Sequence, residues 1–267
     1  MIPYAFHYHR AKSLAEAEAL LAKSPEAKLL AGGQTLIAAM KMRLAQPSDL
    51  IDMSGLKDLS FIRRSGDALV IGAGTKHQDV ATSEEVKRTI PALAHLAEII
   101  GDPAVRHMGT IGGSLANNDP AADYPAAALA LDATIKTTRR AIAADDFFTG
   151  MFTTTLEDGE IVTEVSFPVP ERAGYSKFPN PASRYAMAGV FVAKTKSGMR
   201  VAVTGAGPAV FRVPEMETAL AKDFSSAAIT RISISAEGLN SDIHGSADYR
   251  AHLVGVMAKR AVEAALE

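Results

Sequence analysis

The chain has 267 residues, 48% of them hydrophobic and 22% charged, with a formal net charge of −2. That composition argues for a globular fold with a sizeable core rather than disorder, and the near-neutral balance leaves no basic footprint for nucleic acid. Cysteine is absent, which excludes disulfides, thiolate-ligated iron–sulfur clusters and a cysteinyl cofactor link on this chain.

In chain order, "YAFHYHR" alternates like a strand, and "SLAEAEALLAK" reads as a helix with Ser13 and Glu16 in capping-box spacing. "AKLLAGG" is a short apolar strand ending in glycines, followed by a second helix over "QTLIAAMKMRLA" that Pro47 closes. "DLIDM" and "ALVIGAG" are further strands. "SEEVKRTIPALAHLAEII" is helical in two pieces, the second opened by Pro91. Thr110–Pro125, "TIGGSLANNDPAADYP", reads as a long loop because glycines, amides and prolines interrupt every regular period. A helix over "ADYPAAALAL" and a strand over "ATIKT" follow. "VPERAG", Val169–Gly174, reads as a linker. Beyond it "RYAMAGVFVAKT", "MRVAVTGAG" and "AVFRV" suggest an antiparallel meander, then a helix at "PEMETALA", a strand at "RISISA" and a long C-terminal amphipathic helix. The expected class is α+β in two domains, 1–170 and 171–267, the first dividing near residue 55. No apolar run approaches the ~18–20 residues of a membrane span, and "MIPYAFHYHRAKSL" lacks a signal-peptide pattern. A cytoplasmic protein is expected.

Two glycine pairs concentrate the chemistry, Gly32–Gly33 before Gln34 and Thr35, and Gly112–Gly113 before Ser114. Without a Cβ, such a pair can turn its N–H groups toward one point, and the first pair also opens a helix. Two converging nests suit a pyrophosphate without Lys or Arg; either pair alone also makes an ordinary turn. A P-loop is missing, and "GAGTKH" has His77 where a dinucleotide fingerprint needs its third glycine. Asp119 fits either an Asx turn or a contact to sugar hydroxyls, and Asp123 either a helix cap or the same contact. His7 and His9 share a strand face but lack an evident third metal ligand. No residue here is expected to be catalytic or to bind metal.

With these residues in view the chain resembles the FAD-binding medium subunits of the molybdenum hydroxylases, the family of carbon monoxide dehydrogenase and the flavin segment of xanthine dehydrogenase. The segments carrying the resemblance are "LLAGGQTLIAAMKMRL", "IGAGTKHQDV", "VRHMGTIGGSLANNDPAADYPAAALALDA", "DFFTGMF", "EIVTEVSFPVP" and "FPNPASRYAMAGVFVA". The resemblance implies a two-subdomain PCMH-type FAD-binding domain, then a C-terminal α+β domain with an antiparallel sheet. It implies non-covalent FAD, held by Ala31, Gly32, Gly33, Gln34, Thr35 and Leu36 in one pyrophosphate segment and Thr110, Ile111, Gly112, Gly113 and Ser114 in the other. Asn117, Asp119 and Asp123 match the ribityl and adenosine end, Lys177 and Tyr185 the flavin ring; a packed strand aromatic is the alternative for Tyr185. Molybdopterin cofactor and [2Fe–2S] clusters are implied on a large and a small partner subunit, in a dimer of heterotrimers, with FAD relaying electrons to an external acceptor. Two departures stand out: Met108 where many relatives have Arg, and Gln34 where histidine is frequent. They leave open a second reading, a scaffold subunit that has lost its flavin.

Overall fold

A computed structural model describes residues 2–267. The first layer is a small parallel sheet in the order β1-β3-β2, built from β1 (His7–Arg10), β2 (Lys28–Leu30) and β3 (Asp49–Asp52). Parallel neighbours need crossovers, and α1 (Leu14–Lys23) and α2 (Leu36–Lys41) supply them. Ser13 caps α1 as its spacing predicts, accepting from the Glu16 N–H at 3.1 Å, while Glu16 Oε2 reaches back to the Lys12 N–H at 2.7 Å. The second helix is shorter than expected. It ends at Lys41, well before Pro47, because Arg43 turns left-handed at φ +62°.

The next two strands, β4 (Ile62–Ser65) and β5 (Ala68–Gly72), lead into a run of six helices. These are α3 (His77–Thr82), α4 (Glu84–Thr89), α5 (Pro91–Glu98), α6 (Pro103–Arg106), α7 (Ile111–Asn117) and α8 (Tyr124–Ala130). The sheet then resumes with β6 (Thr134–Thr137) and β7 (Ala141–Ala143), passes α9 (Ala144–Phe147) and the hairpin β8 (Phe148–Gly150)–β9 (Thr153–Thr154), and takes in β10 (Val162–Pro168). Its order is β4-β5-β10-β6-β7, antiparallel throughout. Within Thr110–Pro125 the structure corrects the loop expectation: Ile111–Asn117 is a helix that carries the glycine pair inside it. Intrinsic propensity disfavours that, but close packing overrides it. A Cβ on Gly112 would stand 2.5 Å from the Ala73 Cβ, so only glycine lets this turn lie on the end of β5. Asn118 stops the helix in the left-handed region at φ +43°.

The C-terminal part is a meander of β11 (Arg172–Pro179), β12 (Ala186–Thr195), β13 (Gly198–Thr204) and β14 (Phe211–Arg212), joined in that order, with α10 (Pro214–Lys222) and α11 (Ala247–Ala264) packed on it. The expected linker is shorter than it reads, since β10 ends at Pro168 and β11 begins at Arg172. "RISISA" forms no strand; Arg231–Ala236 pairs with nothing in a ladder, and Ile232 and Ile234 pack onto the core beside α11 instead. Strand β12 is buried on both faces. Phe191 and Ala193 join the core under α5 and α8, and Val190 and Val192 join the core under α11. This explains its unbroken apolar run, as in strands covered on both sides. No helix among the described residues is long and apolar enough to cross a membrane.

Candidate functional site

Ala31–Leu36 links β2 to α2, with Gly33 at φ +71°. The N–H groups of Gly32, Gly33, Gln34, Thr35 and Leu36 find no acceptor among the described residues. The first to return to a carbonyl is Ile37, which donates to Gly33 O at 3.1 Å. Buried backbone donors are almost always paired, and Gln34 and Thr35 are exposed. Five consecutive open donors at a surface turn therefore form a row ready for an anionic ligand.

The second glycine segment lies directly against the first. A Cβ on Gly32 would fall 2.2 Å from the Met108 carbonyl oxygen and 2.6 Å from Gly109 Cα, so the two backbones touch where glycine permits it. Gly113 faces Ala31, whose Cβ is 3.8 Å from the position a Gly113 Cβ would take. The two segments do converge, yet they differ from a pair of equal nests. Ile111 N–H donates to Thr75 O at 3.0 Å, Gly112 N–H to Ala73 O at 2.9 Å, Gly113 N–H to Thr110 Oγ1 at 3.2 Å and Ser114 N–H to Thr110 O at 3.0 Å. The second segment is a fixed wall with its donors engaged; the first is the open cradle.

His77, which the sequence offers only as a misfit in a fingerprint, underlies this wall. Its N–H donates to Gly109 O at 3.0 Å, and its Nε2 lies 2.5 Å from where a Gly109 Cβ would be. Its ring packs on Tyr124 at 5.3 Å between centroids, and its Nδ1 is buried without a partner. Burial, and then the nearby Arg106 charge, push its pKa down to about 4, so the ring is neutral at physiological pH.

The remaining expected site residues fall in two groups. Asp123 and Lys177 form a buried ion pair, with Lys177 Nζ 3.0 Å from Asp123 Oδ1 and both side chains under 5% exposed. Tyr175 donates to Asp123 Oδ1 at 2.5 Å, and Lys177 also donates to Ile99 O at 2.8 Å. Asp123 Oδ2 lies 3.2 Å from the same ammonium, so three acceptor oxygens surround its three donors. Burial raises the Asp123 carboxyl above its ordinary range, opposed by the Lys177 charge. Asp123 does not cap α8 with its side chain, which removes that structural alternative. Asp119 closes an Asx turn, accepting from Ala121 N–H at 2.9 Å with one oxygen and leaving the other open. Asn117 is half-buried with no side-chain hydrogen bond, and Tyr185 stands 45% exposed at a cavity that Asp119 also lines. Tyr185 is thus no core aromatic.

A family model described as the FAD binding domain in molybdopterin dehydrogenase matches residues 4–170, and one described as the CO dehydrogenase flavoprotein C-terminal domain matches 175–265. The chain belongs to this flavoprotein family. It is 38% identical to the carbon monoxide dehydrogenase medium chain of Hydrogenophaga pseudoflava over 99% of this chain and 98% of that one. The glyceraldehyde dehydrogenase medium chain of Sulfolobus acidocaldarius is 36% identical, covering 98% of each. Among solved structures, quinoline 2-oxidoreductase from Pseudomonas putida 86 superposes with a TM-score of 0.90 at 30% identity, over 100% of this chain and 99% of that chain. The chain is accordingly the FAD-binding medium subunit of a molybdenum-containing oxidoreductase.

FAD fits the residues present, because the five open donors of Gly32–Leu36 offer what a pyrophosphate takes. The two departures noted in the sequence leave that row intact. Gln34 is exposed and its Nε2 lies 3.4 Å from Gly32 O, while Met108 contributes its backbone against Gly32 and leaves its side chain 50% exposed.

Proposed function

We propose that this chain is the electron relay of a three-component molybdenum hydroxylase, built as a dimer of heterotrimers. A large subunit would carry the molybdopterin cofactor and a small one the [2Fe–2S] clusters. FAD supplies the redox chemistry when bound, and the protein positions it. In this reading Gly32–Leu36 donate to the pyrophosphate, and the space that Gly113 leaves beside Ala31 admits it. Thr110–Ser114 form the opposite wall, and Asn117 and Asp119 meet the ribityl and adenosine hydroxyls. Asp123 acts at one remove, by holding Lys177 in place near the flavin ring, and Tyr185 lies at the ring's edge.

The observation that carries the proposal is the row of five unpaired N–H groups facing a second glycine turn. Titrating the flavin-stripped chain with FAD and with FMN, following flavin fluorescence, tests it. Saturable binding of FAD, at least tenfold weaker binding of FMN, and loss of FAD binding in a folded Gly113→Val variant are expected. A folded chain that ignores both flavins would instead support the scaffold reading.

A further inference from the structure

The stretch 231–236, expected to be a strand, finds no ladder within its own chain, yet it keeps the form of one. Residues 232–236 run without helix, turn or bend, and exposure alternates from residue to residue. Arg231, Ser233, Ser235 and Glu237 are exposed, while Ile232, Ile234 and Ala236 are half-buried. That period of two is the pleat of a strand with one face on a core. The backbone groups of successive residues in such a strand point to opposite edges. On one edge, Ile232 N–H is spent on Ile229 O at 3.1 Å, and Ala236 O on Leu239 N–H at 3.2 Å. On the other, the N–H and C=O groups of Ser233 and Ser235 have no partner among the described residues. A groove of about 430 Å³ lies between this stretch and Phe211 and Arg212 of β14, so the sheet does not cover it.

An uncovered strand edge is a template for another chain, and the charges at its two ends select which chain. Arg231 and Glu237 stand symmetrically about Ile234, both are exposed, and neither forms an ion pair among the described residues. Two copies laid antiparallel about Ile234 bring Arg231 of each against Glu237 of the other. Ser233 of each then exchanges both of its backbone hydrogen bonds with Ser235 of the other, which are the groups left open. A parallel pairing would set Arg231 against Arg231, and like charges directly opposite are destabilising. A strand of one charge from another protein would suit only one end.

We propose that two copies of this chain pair through 231–237 in an antiparallel, two-fold ladder, an isologous contact in which the same edge serves both partners. The contact goes beyond the electron-relay reading and depends neither on flavin nor on other subunits. A ladder this short belongs to the weak, transient class of interfaces, so it forms as concentration rises.

Analytical ultracentrifugation of the full chain from micromolar to millimolar concentration tests it, with amide exchange by NMR locating the contact. A monomer–dimer equilibrium is expected, with the Ser233 and Ser235 amides slowing as the dimer forms. Arg231→Glu and Glu237→Arg change exposed side chains without ionic partners, so each should keep the parent melting temperature and weaken dimerisation at least fivefold. Mixing these two variant chains should restore it, because the mixed pair again opposes unlike charges at both ends. Ser233→Pro, which removes an N–H the monomer does not use, should abolish the dimer. A chain that stays monomeric throughout overturns the inference. So does dimerisation that the charge variants leave unchanged, or that mixing them fails to restore. A monomeric chain that still binds FAD overturns this inference alone and leaves the flavoprotein reading standing. A chain that pairs in this register but binds no FAD supports the contact and counts only against that reading.

Discussion

At the scale of single residues, the two glycines of one pair do different work. A Cβ on Gly112 would meet Ala73 at 2.5 Å, whereas one on Gly113 meets only Thr110 Oγ1 at 3.0 Å and Ala31 at 3.8 Å. Gly112→Ala should therefore cost about 2–4 kcal/mol of stability, in the range of overpacked sites. Gly113→Ala should stay within about 1 kcal/mol of the parent in urea unfolding and act mainly on flavin affinity. The pair was legible in the sequence as a site; which glycine packs and which faces the ligand was not, because that depends on Ala73 and Ala31, both distant in the chain. His77 was legible only as an irregularity. Its depressed pKa, about 4 against 6.5, means that the unfolded chain binds the extra proton below pH 6.5. Its contribution to stability is complete above that pH and falls by about 3 kcal/mol as pH drops to 4. Urea melts from pH 7 to 4 should show this slope, and His77→Leu should flatten it.

Among elements, the turn between β6 and β7 is locked to the segment before β10 by one buried carboxylate. Glu160, its side chain fully buried, takes Arg140 through both oxygens at 3.0 Å and Thr137 Oγ1 at 2.7 Å. The Arg140 hydrogen bonds, more than any other influence, hold its pKa at about 2. A depressed carboxyl stabilises the fold above its unfolded value, near 4.5, and loses that contribution as pH falls toward 2. Arg140 is 42% exposed, so solvent screening reduces the effect to about 1–2 kcal/mol. Glu160→Gln should lower stability at pH 7 and lessen the acid slope between pH 4.5 and 2, by urea denaturation. Elements with strong local signals, such as capped α1 and the apolar β12, were legible from the sequence. Helix α7 and the unpaired Arg231–Ala236 were not: tertiary contact made a helix of a glycine-rich stretch, and no sheet edge was on offer to an alternating one. Nor was the part Asn118 plays in bracing the β8–β9 turn, where its Nδ2 donates to Gly150 O and Thr153 O at 2.8 Å. Asn118 carried a signal, since asparagine tolerates the left-handed backbone it adopts.

For the whole molecule, β12 ties the C-terminal sheet to the core of the middle helices, and α11 covers its other side. Gly174 lets that helix close down, since a Cβ there would sit 2.0 Å from Ala261 O. Gly174→Ala should lower the melting temperature of the chain in one cooperative transition, not release the C-terminal part alone; calorimetry with near-ultraviolet circular dichroism distinguishes these. The central claim is that FAD lies on the open N–H row of Gly32–Leu36, and amide hydrogen exchange reads it most directly. Without ligand these five amides should exchange nearly as fast as in a peptide. With saturating FAD they should slow at least tenfold, while Ile111–Ser114, already bonded within the chain, change little. Unchanged exchange at Gly32–Leu36 in a chain saturated with FAD would contradict the account.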